Sequence, residues 1–197
     1  VTCPINRYSY ALSNVTHPFS QHYCALQPKS AKARELVQRL LQKNNKNQAC
    51  PPVYVRSDII QGKGMASSSA DISVTAMATA LAMNYDLSLK ELEQICLSVE
   101  PTDASFYQGV TQFDYIKGTI SQPLGMCPPL KILVFDEGGS IDTISFNQQV
   151  DLQTKILEKE SIIEESLDLF KRGLNTHDIN LIGQAATLSA FGNQRIL

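Results

Sequence analysis

The chain has 197 residues, 43% of them hydrophobic and 18% charged, which suits one substantial globular domain or a domain and part of another. A net charge of -2 with Lys and Arg spread out argues against a nucleic-acid binder, and no segment approaches the run of about 20 apolar residues that spans a bilayer. The cysteines Cys3, Cys24, Cys50, Cys96 and Cys127 are odd in number and form no Cys-x-x-Cys pair, which disfavours a zinc site or disulfide framework and fits a reducing cytosol.

Taken in chain order, the stretch around Tyr8, Tyr10 and Leu12 has strand-like alternation. Pro18 and the residues from Ser20 to Pro28 read as a connecting loop. Ala33, Leu36, Val37, Leu40 and Leu41 recur at helical spacing and predict a helix over Ala31 to Gln42, with Ser30 as its N-cap. Lys29, Lys32 and Arg34 form the nearest thing to a basic cluster, read as the solvated face of that helix. After a polar break from Asn44 to Gln48, Val53 to Ile59 reads as a strand, with Ser57 and Asp58 finishing it.

A helix rich in small residues is expected from about Ser67 to Met83. Ser88-Leu89-Lys90-Glu91 has the form of a capping box opening a helix through Leu92, Ile95, Cys96 and Val99, which Pro101 stops. Cys96 is expected to be a small core residue. Lys131 to Phe135 reads as a buried strand, with Gly138-Gly139 as a turn and Ile141 to Phe146 as its hairpin partner. Two helices close the chain: Ile156 to Leu174, with Ile156, Ile163, Leu167 and Phe170 inside, and Leu181 to Leu188, entered near Asp178. His17, His22 and His177 are scattered, and two histidines alone make no metal site. Mixed β and α elements with hairpins favour an α+β fold over a doubly wound parallel sheet.

The segment Gly62-Lys63-Gly64-Met65-Ala66-Ser67-Ser68-Ser69-Ala70-Asp71 lies between the expected strand and the small-residue helix. Glycines allow a backbone to approach an anion and aim successive N–H groups at it, and a helix start adds unpaired N–H groups and its dipole. Hydroxyls can bond phosphate oxygens or ligate magnesium. Lys63 could touch a phosphate or be a solvated loop lysine. The segment lacks both the Gly-Lys-Ser/Thr ending of the P-loop and the third glycine of the dinucleotide fingerprint. An anion site and a close helix-packing turn both fit it. A second segment, Ser98-Val99-Glu100-Pro101-Thr102-Asp103-Ala104-Ser105, places Glu100 and Asp103 around a proline at a helix end. Phosphoryl transfer needs a magnesium ligand and a group for the hydroxyl proton, which these could supply; a surface helix end would also carry them.

Gly64 to Ala70 resembles the Gly-Leu-Gly-Ser-Ser-Ala-Ala motif of the GHMP kinases, with Met65 in place of leucine and Ala66 in place of glycine. The run from Gly62 to Asp71, with Ser98 to Asp103, Phe113-Asp114, Thr2 to Ser9 and Ser189 to Gln194, is most similar to the L-threonine kinase branch, which makes L-threonine O-3-phosphate for the aminopropanol arm of cobalamin. The resemblance implies a GHMP kinase fold, with an N-terminal domain like ribosomal protein S5 domain 2, and implies ATP and Mg2+ as cofactors. It implies phosphate binding by Gly62, Lys63, Gly64, Met65, Ala66, Ser67, Ser68 and Ser69, metal binding by Ser68 and Glu100, and a catalytic role for Asp103 beside Glu100. Several members of the family carry the aspartate about ten residues beyond the glutamate, which makes Asp114 the rival of Asp103.

The expected organisation is an ATP-binding domain over 1–150 and the start of a second domain over 151–197. The family's third glycine-rich motif and its opening strand are not recognised, so the sequence reads as a fragment. The expected activity is cytoplasmic phosphorylation of an alcohol, L-threonine first, with no nucleic-acid or membrane partner and a homodimer left open. Homoserine, a sugar or a mevalonate derivative are alternative acceptors. A non-catalytic nucleotide-binding module and a purely structural α+β domain are the alternatives from other classes.

Overall fold

The computed structural model describes residues 1–13, 24–43, 49–139 and 157–194. Contacts divide the chain into two units, Val1–Gln122 and Pro123–Leu197. His17, His22, the polar break from Asn44 to Gln48, the expected strand from Ile141 to Phe146 and the inward position of Ile156 lie outside the described residues.

The first unit opens on β1 (Ser9–Ser13), which pairs antiparallel with β2 (Val53–Ser57) in the register Ser9 opposite Ser57 and Ser13 opposite Val53. An isolated bridge from Cys24 to Val55 extends this pairing. Helix α1 (Pro28–Lys43) lies between the two strands in sequence. It begins earlier than the spacing of its apolar residues suggests. Proline has no amide hydrogen to lose at a first helical position, and the carbonyl of Gln27 already accepts from Ala31 at 2.9 Å. Ser30 is therefore not the N-cap but the third helical residue, only 2% exposed.

Helix α2 (Ser67–Ala82) packs against α1, β1 and β2. It is buried along most of its length although serine and threonine recur in it. Its own carbonyls satisfy those hydroxyls: Ser73 donates to Ala70, Thr75 to Asp71 and Thr79 to Thr75. Helix α3 (Leu89–Val99) opens on the expected capping box, with both the Ser88 and the Glu91 side chains bonded to the reciprocal backbone amide. Ala33, Val37 and Leu41 of α1, Ile72, Ala76 and Ala80 of α2, Met83, and Leu92, Ile95 and Cys96 of α3 form one buried cluster. Full burial of a side chain such as Leu41 or Ile72 contributes about 1.5–3 kcal/mol. Burial also pushes the Cys96 thiol up to about 12, with the charge of Glu100 adding to it, so Cys96 is an inert core residue.

Two short strands follow that the sequence pattern did not reveal. They are β3 (Val110–Phe113) and β4 (Ser121–Gly125), which form a second two-stranded sheet. Four or five residues are too few for a clear alternation, and Pro123 marks β4 as an edge. The expected strand at Lys131 to Phe135 does not form. Among the described residues it has no ladder partner, and Ile132, Leu133, Val134 and Phe135 are 57%, 80%, 63% and 85% exposed. An apolar run becomes a strand only where a neighbour takes its backbone hydrogen bonds.

In the second unit, α4 (Glu160–Thr176) and α5 (Ile179–Gln194) form an antiparallel pair joined at His177 and Asp178. The Asp178 carboxylate accepts from the amides of Asn180 and Leu181, which caps α5 as expected. A Cβ on Gly173 would stand 2.8 Å from Ile182 Cγ1, so this glycine permits the close approach. Leu167 and Phe170 are half-buried, but Ile163, in the first turn of α4, is 46% exposed, contrary to its expected inward position.

Candidate active site

The glycine-serine segment forms a turn that runs directly into α2. Gly62, Gly64 and Ala66 all carry positive φ, at 72°, 67° and 57°. Alternating left-handed residues turn successive N–H groups toward one side, the geometry of an anion-binding concavity. Ala66 is the N-cap of α2, and no side chain caps the first turn. The first ladder bond runs from Ala70 to the Ala66 carbonyl at 3.0 Å, so the amides before it are the open donors of a helix start. A left-handed alanine costs about 1–2 kcal/mol, which a glycine would not pay. Gly62, Lys63, Met65 and Ala66 are half-buried and Gly64 is exposed, while Ser67 is 8% exposed.

The acidic segment is built by the end of α3. Pro101 disfavours a helical conformation at the residue before it. Glu100 accordingly leaves the helix as an extended C-cap, at φ -161° and ψ 166°. Its carboxylate then meets the first turn of α2, where the Ser68 hydroxyl donates to Glu100 Oε1. Next to it, the Asp103 amide donates to Ser69 Oγ at 3.0 Å. Adjacent serines of one helical turn thus hold both ends of the Glu-Pro-Thr-Asp segment. Ser69 is 4% exposed, so its side chain positions the acidic segment.

Asp103 lies at the surface just beyond; desolvation of its carboxyl, opposed by the amino-terminal charge and assisted by the Glu100 charge, raises it above the ordinary carboxylate range. Asp114 is placed differently, in the turn between β3 and β4. Its carboxylate accepts from the amides of Ile116 and Lys117 at 3.1 Å, from the Thr119 amide at 3.2 Å and from the Thr119 hydroxyl at 2.6 Å. The Thr119 hydroxyl above all, with these amides, holds Asp114 down at about 2.

Two residues at the site carried no sequence signal. Lys29, read as a solvated helix lysine, forms an ion pair with Glu100 Oε2. Its pairing depends on where the first turn of α1 falls in space, which no local pattern encodes. Asp71 is 7% exposed, accepts from the Ser9 hydroxyl at 2.6 Å, and Ser9 in turn bonds Ser57 Oγ at 2.9 Å. These bonds tie β1, β2 and α2 together directly behind the loop. Arg34 of the same basic cluster is also engaged, bonding the carbonyls of Cys50 at 2.7 Å and Pro51 at 3.2 Å.

The donor set suits a hard cation. Ser68 and Glu100 offer a hydroxyl and a carboxylate, and magnesium commonly takes one or two carboxylates with its remaining ligands from phosphate and water. Among the described residues no three His, Cys, Asp or Glu side chains gather to hold a metal by themselves.

Known proteins share sequence with this chain. Residues 31–109 match the family model for the GHMP kinases N terminal domain. A protein of Salmonella typhimurium named L-threonine kinase is 34% identical over 145 residues, covering 74% of this chain and 48% of its own length. A protein of Citrobacter freundii with the same name is 28% identical over 200 residues, covering 100% of this chain and 67% of its own. The chain thus spans about half the length of the first relative and about two thirds of the second. No solved structure matches.

Proposed function

We propose that this chain, which carries a GHMP kinase N-terminal domain in residues 31–109, is the nucleotide-binding part of an ATP-dependent kinase that phosphorylates the side-chain hydroxyl of L-threonine. The observation that carries the reading is the contact of Ser68 with Glu100 at the uncapped start of α2. It sets a hydroxyl and a carboxylate beside a turn whose amides suit phosphate oxygens. The names of both relatives support threonine as the acceptor.

In this reading the backbone from Gly62 to Ser69 binds the ATP phosphates. Ser68 and Glu100 would hold Mg2+, which when bound neutralises charge on the β- and γ-phosphates. The side chain of Ser69 fixes the backbone of Asp103. Asp103 orients the acceptor hydroxyl and takes its proton as the new oxygen–phosphorus bond forms and ADP leaves. Its raised carboxyl favours that proton more than an ordinary surface aspartate does. Asp103 is preferred over Asp114 because the lone pairs of Asp114 are committed to the turn. Most of the rate enhancement would come from positioning and charge stabilisation.

The assignment extends to a nucleotide domain over 1–150, with 151–197 beginning a second domain, and to a cytoplasmic location. No helix among the described residues is long and apolar enough to cross a membrane. The test is an ATP-consumption assay of the full-length protein with threonine, serine, homoserine and several sugars, with product identified by mass. Threonine-dependent formation of ADP and phosphothreonine is expected. Turnover with another alcohol alone would reassign the acceptor, and nucleotide binding without any transfer would identify a binding module.

A further inference from the structure

Glu100 uses its two carboxylate oxygens separately: Oε1 accepts from Ser68, and Oε2 pairs with Lys29. The Glu100 side chain is 12% exposed, against 44% for Lys29, so a partly desolvated anion is met by a cation reaching in from the surface. Lys29 is the second residue of α1. A lysine there is opposed by the positive end of the helix dipole, so helix stability does not explain its position. The backbone that carries it is nevertheless held firmly. Ser30 beside it is 2% exposed, and Ala33, Val37 and Leu41 anchor the same helix in the core. The other acid coupled to this centre, Asp103, adds negative charge to it.

We propose that Lys29 is a positioning residue that holds the Glu100 carboxylate against the start of α2 and competes with a divalent cation for it. This rests on the reading of Ser68 and Glu100 as metal-binding residues. A bare cation must displace the lysine ammonium from Glu100 Oε2. A cation that arrives on a nucleotide brings phosphate ligands of its own and can overcome the competition. Lys29 therefore biases the site against free metal and toward the metal–nucleotide complex.

The test is a calorimetric titration of Mn2+, without nucleotide, into full-length wild type, Lys29→Met, Lys29→Gln, Lys29→Arg and Glu100→Gln, each checked for folding by its melting transition. Removing a partly exposed ion-pair partner should tighten Mn2+ binding about two- to five-fold in the Met and Gln variants, while Lys29→Arg stays near wild type. Glu100→Gln should lose the binding. Unchanged or weaker Mn2+ binding in both neutral Lys29 variants, with Glu100→Gln still deficient, would overturn the role of Lys29 alone. Wild-type binding by Glu100→Gln would instead overturn the metal reading and this inference with it.

Discussion

The Ser68 hydroxyl donates to Glu100 Oε1 across 32 positions of sequence, joining the first turn of α2 to the C-cap of α3. Neither residue reaches the other through its own element. The contact exists because Pro101 turns Glu100 out of α3 and because α2 and α3 share one core. It is the point where the glycine-serine loop and the acidic segment become one candidate site.

Removing either partner should therefore damage turnover rather than folding. Ser68→Ala and Glu100→Gln in the full-length protein are expected to lower kcat/KM by at least about 100-fold, with a steeper dependence on Mg2+ concentration. Steady-state kinetics across a magnesium series checks this. Wild-type rates in both variants, at low and high magnesium alike, would remove them from the site.

Ala66 stands at φ 57° where the GHMP kinase motif that the loop resembles has glycine. Relief of the left-handed alanine should outweigh the extra entropy that glycine brings to the unfolded chain. Ala66→Gly is expected to stabilise the protein by about 0.5–1 kcal/mol, whereas the β-branched Ala66→Val should destabilise it by more than that. Denaturant midpoints at constant m-value measure both. A loss of stability in Ala66→Gly would show that the alanine methyl contributes packing that outweighs the strain.

Asp71 carries a pH signature of defined sign. Burial raises its carboxyl above the ordinary value near 3.8, with the Ser9 and Ser57 hydroxyls working in the opposite direction. The folded state consequently binds its proton more readily than the unfolded state does. The stability this confers is full below the unfolded value and is lost as pH rises through the raised one. Asp71→Asn keeps an acceptor for Ser9 and removes the titration. Its melting temperature should gain on that of wild type as pH rises from the unfolded value near 3.8 through the raised one, and parallel curves would contradict the assignment.

Asp114 behaves in the opposite sense. Its carboxyl is depressed to about 2, so its contribution is present above the unfolded value near 3.8 and disappears as pH falls through about 2. Asp114→Ala removes the acceptor of the Ile116, Lys117 and Thr119 bonds and should cost about 1–2 kcal/mol in stability. With Asp114 confined to the turn, Asp114→Asn should retain turnover at near wild-type rates, while Asp103→Asn loses it about 100-fold or more. The reverse pattern in single-turnover assays would exchange the two roles.

Much of this protein was legible where local chemistry decides the outcome. The reciprocal cap at Ser88 and Glu91, the end of α3 before Pro101 and the start of α2 at Ser67 all follow from backbone preferences of a few adjacent residues. The glycine-serine loop and Glu100 were also visible as residue types suited to phosphate and magnesium.

What depends on distant partners was not. Lys131 to Phe135 has the composition of a buried strand but no neighbour among the described residues, and β3 and β4 formed without an advance signal. Lys29 has the sequence signature of any exposed helix lysine and Asp71 that of an early helical residue; only packing sets the first against Glu100 and Ser9 against the second. The sequence by itself determined a loop able to receive an anion and an acid able to accompany it. Tertiary structure decided that Ser68 meets Glu100, that Ser69 holds Asp103 and that Lys29 balances the charge. Those contacts arise from the burial of one shared core, and burial is a property of the whole chain rather than of any segment in it.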